Sequence, residues 1–190
     1  MPRPSARKQL VDNAYDRFHA LGYNACGVQE IADAAGVPKG SFYNHFASKE
    51  AMLREVIDRY CEDSHIDMLE DTSKPPLERL RAHFDHLAKP YYTNGFTKGC
   101  LLGNMATEMS DANEGVRDVI EGALKHWSDV VASVLREAQA SGQLASDVRP
   151  KVLGRYLVSS WEGAVLRMKA SKSRAPLDDF FAVTFGMLLA

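Results

Sequence analysis

The chain has 190 residues, 45% hydrophobic and 25% charged, with a formal net charge of -2 at pH 7. A chain of that length can bury a full core unaided, and the near-balanced charge excludes a protein that is basic all over, so any nucleic-acid contact must come from a local patch. The three cysteines, Cys26, Cys61 and Cys100, are far apart and form no Cys-x-x-Cys pair, which speaks against a disulfide framework or structural zinc and fits a reducing cytosol.

The start Met1-Pro2-Arg3-Pro4 lacks the apolar core of a signal peptide, and no run reaches membrane-spanning length. A cytoplasmic protein without a membrane partner, metal or cofactor is the expectation. Nearly every segment has helical periodicity and none shows sustained strand alternation, so the chain reads as all-α with about nine helices.

The first helix is predicted from about Ser5 to Leu21, with Leu10, Ala14, Phe18 and Leu21 on one face and Gly22 as its stop. Short helices follow at Gln29–Ala35 and Lys39–Phe46. Ser48 is the predicted N-cap of a fourth helix reaching from Lys49 to about Leu69. Asp71–Pro76 is a polar, proline-ended loop and the clearest module boundary. Beyond it Leu77, Leu80, Phe84, Leu87 and Tyr91 repeat at helical spacing. A short helix near Cys100–Met109 precedes a long one, which Asp111 and Glu114 introduce at capping-box spacing and Gly142 ends. Asp147 is expected to open the next helix, carrying Leu153, Tyr156, Trp161, Val165 and Met168. The last begins after Pro176, with an apolar surplus of Leu177, Phe180, Phe181, Phe185 and Met187 that suits an interface.

The segment Val28 to Phe46 carries most information. Two short helices that cross closely need small residues at the contact, which Ala32 and Ala35 supply. Gly36 is free to take a positive φ in the turn, and Val37 can plug the space between the helices. Phe42 and Phe46 share the inner face. Lys39, Gly40, Tyr43 and Asn44 then face outward, flanked by Ser41 and His45. Lys39 suits a phosphate or guanine edge, Asn44 an adenine edge, and Tyr43 a phosphate or thymine methyl. No carboxylate lies between Gly36 and Lys49, while Arg3, Arg7 and Lys8 add positive charge from the first helix and its approach. A plain helical corner explains the glycine and phenylalanines, but not the carboxylate-free face.

Gly36-Val37-Pro38-Lys39-Gly40-Ser41-Phe42-Tyr43-Asn44-His45-Phe46, followed by Ser48-Lys49-Glu50, resembles the N-terminal signature of the TetR family of transcriptional regulators. The resemblance covers about Ser5 to Tyr60. It implies an N-terminal three-helix DNA-binding domain with a helix-turn-helix (1–48), a connecting helix and loop (49–72), and a C-terminal helical ligand-binding and dimerisation domain (73–190). On this sequence the base-reading positions fall on Lys39, Gly40 and Tyr43, phosphate contacts on Ser41, His45 and Lys49, and a further contact on Gln29. The Ser or Thr usual before that helix is replaced by Gly27 and Val28. The partners so implied are a double-stranded, near-palindromic DNA operator, a small-molecule inducer and a second copy of the chain. The function implied is that of a ligand-responsive repressor rather than an enzyme; an activator or a constitutive DNA-binding dimer is the alternative.

Gly99-Cys100-Leu101-Leu102-Gly103-Asn104 with Glu108, together with Trp161-Glu162-Gly163-Ala164 and Leu166-Arg167-Met168-Lys169, resembles the NemR/AcuR-like subgroup of that family. This implies a thiol-reactive electrophile or acrylate-like compound as the signal, with Cys100 the sensing thiol and Lys169 near it. By chemistry alone, Cys100 at a helix start beside Lys98 is either a thiol with enhanced acidity or a buried, inert one. Trp127, Tyr156, Trp161 and Arg167 are candidates for a ligand pocket with an aromatic wall and one cation; core packing is the other reading of both tryptophans. His83 and His86, three apart, are expected on a solvated face rather than on a metal.

Overall fold

A computed structural model describes residues 5–145 and 147–190; Arg3 lies outside them. The described residues contain no strand, as the all-α reading requires. Nine α-helices follow one another among the described residues: α1 Ala6–Leu21, α2 Val28–Ala34, α3 Lys39–Tyr43, α4 Lys49–Asp63, α5 Pro76–Thr93, α6 Leu101–Met109, α7 Glu114–Ala140, α8 Pro150–Ser171 and α9 Ala175–Val183. None of them is long and apolar enough to cross a membrane. The chain forms two compact units, Met1–Cys61 with Leu101–Ile120, and Glu62–Cys100 with Glu121–Ala190. Residues 101–120 therefore pack with the N-terminal helices, although the sequence pattern groups them with the C-terminal ones.

In the first unit Ser5 caps α1 by accepting the Lys8 N–H at 3.3 Å. Leu10, Val11, Ala14 and Phe18 form the buried face of α1, whereas Leu21 is 55% exposed. Gly22, at φ 89°, turns the chain so that Tyr23 packs on Phe18 in the place expected for Leu21, with ring centroids 5.4 Å apart. Between α2 and α3, Gly36 sits at φ 66° and the Val37 N–H donates to Ala32 O at 3.0 Å. Ala32 and Ala35 are buried at this corner, while Val37 is only half-buried. Ser48 caps the start of α4 by accepting the Ala51 N–H at 3.2 Å. That helix buries Met52, Leu53, Val56 and Ile57 but ends at Asp63, short of Leu69, because His65 adopts a left-handed conformation and only a 3-10 turn, Ile66–Leu69, follows. At the start of α7 the cap is Asn113, whose Oδ1 accepts the Val116 N–H at 3.0 Å; Asp111 is exposed and the expected capping box is not used.

In the second unit Phe84 of α5 is fully buried and touches Trp161 and Phe180 of α8 and α9, at centroid distances of 5.3 and 5.0 Å, with Trp127 of α7 at 6.0 Å. At Gly154 a Cβ would come within 2.7 Å of Ser128 O, so glycine permits the close approach of α8 to α7. The first helical turn of α8 begins at Pro150 rather than Asp147, since a proline ring pre-sets the helical φ and lacks only a donor that the helix leaves unused. Leu177 and Phe180 belong to the core of this unit; Phe181 and Phe185 are half-buried, and Met187 is 73% exposed.

Among the buried polar side chains of this unit are Arg79 and His83, the latter against the solvated face expected for it. Arg79 is 3% exposed, donating from Nη1 to Leu69 O at 2.8 Å and pairing with Glu137. His83 is 1% exposed rather than solvated, and its Nε2 accepts the Trp127 indole N–H at 2.9 Å. That bond leaves the imidazole proton on Nδ1, which has no partner among the described residues. Burial, reinforced by the neighbouring His86, lowers the His83 pKa to about 4. The unfolded chain would take up this proton near pH 6.5, so the stability that His83 contributes is complete above that pH and is lost as pH falls towards 4. By NMR the His83 ring is expected to remain neutral and Nδ1-protonated at pH 5.

Candidate nucleic-acid interface and buried thiol

The helix-turn-helix separates its side chains by chemistry. Phe42 and Phe46 are buried with ring centroids 5.6 Å apart. Lys39, Gly40, Tyr43, Asn44 and His45 are exposed, Tyr43 by 57%, and Ser41 is half-buried. Five of the sequence-expected contact residues thus share one open surface, and their inner counterparts anchor it. Gln29 is also exposed, with its amide donating to Asp33 Oδ1 at 2.7 Å. Gly27 precedes α2 in extended conformation and provides no side-chain cap.

The basic surroundings differ from the sequence reading. Arg7 pairs with Glu55 and lies over the Phe46 ring, 5.0 Å from its centroid. Lys8 pairs with Asp12 at 2.8 Å. Both cations are partly neutralised, and Lys39 is the lysine exposed on α3 itself.

Lys49 is turned away from that surface. Its ammonium donates to Tyr23 O at 2.6 Å and sits 3.8 Å from the centroid of the Tyr23 ring. Burial lowers its pKa, opposed by the charges of Glu50, Glu108 and Glu30 and by Cys26. The Tyr23 hydroxyl hydrogen-bonds Glu50, and burial together with that carboxylate raises its pKa. On the other side of the same loop, Glu108 of α6 accepts the Asn24 N–H at 2.9 Å and packs against Gly22. The α1–α2 loop is therefore pinned by α4 and α6, and the Lys49 ammonium, for which a phosphate contact is expected, makes an internal hydrogen bond in this structure.

In the second unit, Cys100 immediately precedes α6 and is 6% exposed. Its thiol hydrogen-bonds the carboxylate of Glu162 on α8. Glu162 as a residue is half-buried, but its Oε1 is shielded from solvent and has no hydrogen-bond partner among the described residues. Burial raises the Glu162 pKa to about 7, against a smaller lowering by the Cys100 hydrogen bond. Lys169, two helical turns further along α8 and hence on the same side, is half-buried. Trp127 and Trp161 are brought together through Phe84, as packed aromatic core. Tyr156, 52% exposed, and Arg167 lie on the open side of α8 and do not join them. Glu162 has no role in the sequence reading; the signal for it is a single carboxylate among the otherwise uncharged residues from Tyr156 to Leu166.

Removing the Lys49 ammonium leaves the Tyr23 carbonyl without its donor. Lys49→Ala is therefore expected to lower unfolding stability in urea by about 1–3 kcal/mol, while the salt dependence of DNA binding keeps its wild-type slope.

Residues 10–56 match the family model described as bacterial regulatory proteins, tetR family, and residues 76–184 match that of the tetracyclin repressor-like C-terminal domain. The HTH-type transcriptional repressor DhaR of Mycobacterium sp. (strain GP1) is 38% identical over 100% of this chain and 95% of its own length. The transcriptional regulator AcuR of Cereibacter sphaeroides is 36% identical over 95% of this chain and 84% of its own. The crystal structure of Escherichia coli NemR in its reduced form superposes with a TM-score of 0.86 at 25% identity, covering 97% of this chain and 98% of that one. The two family models together span a helix-turn-helix unit and a helical C-terminal domain, and the chain belongs to the TetR family of DNA-binding transcriptional regulators.

Proposed function

We propose that this chain is a ligand-responsive repressor that binds a near-palindromic operator as a homodimer and releases it when a small molecule engages its C-terminal domain. The observation that carries the reading is the open face of Lys39, Gly40, Tyr43 and Asn44, with no carboxylate from Gly36 to Lys49. Repressor function is supported by the relatives named DhaR and NemR, both transcriptional repressors. Lys39 and Tyr43 meet base edges or phosphates, Asn44 an adenine edge, and Ser41 and His45 the backbone beside them. Gln29 is an additional contact at the start of α2.

The homodimer forms through α8, α9 and the helical turn Thr184–Leu188 that follows, where Val152, Tyr156, Leu166, Val183, Met187 and Leu188 remain exposed within one chain. A two-fold dimer presents its recognition helices roughly 34–36 Å apart, or a multiple of that spacing. Induction is a population shift: the ligand must favour the non-binding state by about 5.5 kcal/mol to switch the dimer fully. Cys100 is the sensing thiol, and a thiol-reactive, conjugated carbonyl compound is the signal. The likeness to a protein crystallised as its reduced form supports a thiol-based response.

The reading is tested on DNA from the promoter adjoining the chain's own gene. Lys39→Ala is expected to weaken binding and reduce the salt slope by about 1. Asn44→Ala should instead relax discrimination at one base pair by about 1–3 kcal/mol. Unchanged affinity, slope and sequence preference in both variants would remove α3 from the interface.

A further inference from the structure

We propose that Glu162 is the proton acceptor for Cys100, and that the pair forms an addition site for a compact, uncharged α,β-unsaturated carbonyl compound. The inference rests on the proposed sensing role of Cys100 and adds the residue that makes its thiol reactive.

Three observations carry it. The thiol hydrogen-bonds the Glu162 carboxylate, so the proton already lies on the path between sulfur and oxygen. The second carboxylate oxygen, Oε1, is buried without a partner among the described residues, so the carboxylate is poorly stabilised as an anion. Burial brings its pKa to about 7, much nearer to that of a thiol than an exposed carboxylate would be. A base whose affinity for the proton approaches that of the donor, and lies near working pH, takes the proton most effectively.

The surroundings also select the chemistry. Cys100 is 6% exposed, which favours a small reagent over a bulky one. In a shielded site, displacement would strand a leaving group and leave the proton on Glu162. Conjugate addition does neither. The Cys100 sulfur forms a bond to the β-carbon as the carbon–carbon π bond breaks. The thiol proton moves to Glu162, and the resulting enolate takes a proton back at its α-carbon. Glu162 returns to its starting state, no oxidant or co-reactant is needed, and the product is a neutral thioether.

The test measures the rate at which methyl vinyl ketone alkylates Cys100 in the full-length protein, by peptide mass spectrometry across pH 5.5–9 (a range on the order of the span between carboxylate and thiol pKa values). In the wild type the rate should rise through an inflection near pH 7, as Glu162 loses its proton. Glu162→Gln keeps the size and hydrogen-bonding capacity but not the base. Its rate at neutral pH should fall by roughly 10²-fold, and its inflection should move up to the ordinary thiol range near about 8.5. Glu162→Asp retains a carboxylate and should keep the lower inflection at an intermediate rate, which preserves the test if the glutamine variant folds poorly. A wild-type rate and pH profile in Glu162→Gln, or no Cys100 adduct in the wild type, would overturn the proposal. Operator release in the same samples separates the two readings: Glu162-dependent alkylation without release supports the proton acceptor and removes Cys100 as the sensor.

Discussion

The ammonium of Lys49, seated beneath the Tyr23 carbonyl and against the Tyr23 ring, is the contact on which the N-terminal unit depends. It ties the start of α4 to the loop between α1 and α2, and Glu108 at the far end of α6 ties the same loop from its Asn24 amide. A hydrogen bond to a charged group contributes roughly 1.5–3 kcal/mol, and a cation over an aromatic ring about 0.5–2 kcal/mol. Those values are large against the stability of a small helical unit. With the loop fixed, α2 and α3 are held at a defined corner, and Phe42 and Phe46 set which side chains of α3 face outward. The recognition surface is thus a consequence of packing several residues away from it.

The second unit uses buried polarity differently. Arg79 bonds Leu69 O and Glu137 through its two terminal nitrogens, while its Nε has no partner among the described residues, and it ties the start of α5 to the preceding turn and to α7. Trp127 satisfies one nitrogen of His83, and the other, near the His65 backbone, has no hydrogen bond of good geometry among the described residues. At Glu162 the Cys100 thiol meets the carboxylate, and Oε1 has no partner among the described residues. A buried polar group lacking a partner costs free energy that a fold retains for a reason or compensates elsewhere. His83 meets that condition as part of the aromatic core, where a neutral imidazole is enough. Glu162 meets it beside the Cys100 thiol.

Much of the N-terminal unit was legible in the sequence because its determinants are local. The positive φ of Gly36, the small contacts of Ala32 and Ala35, the Ser48 cap and the in-and-out pattern of α3 each follow from spacing within a few residues. Long-range partners were not legible. Nothing near Lys49 announces a carbonyl 26 positions away, and nothing near Arg7 announces Glu55. The same difficulty turned His83 from a solvated residue into a buried acceptor, since its partner Trp127 lies on another helix. Helical periodicity placed Tyr156 and Trp161 on one helix but could not say that α7 and α9 cover only the latter. The cap at Asn113 in place of Asp111 shows the usual uncertainty of helix starts, where adjacent Asp and Asn residues compete for one role.

The central claim is that α3 and its turn meet DNA through the face that Phe42 and Phe46 hold outward. Hydrogen exchange of the full chain, with and without the palindromic DNA of its own promoter, tests it most directly. Added DNA should slow exchange at the amides from Val28 to Phe46, with the effect fading as salt is raised, since a phosphate-anchored complex weakens steeply with ionic strength. Slowed exchange confined to other segments, with these amides unchanged at low salt, would contradict it.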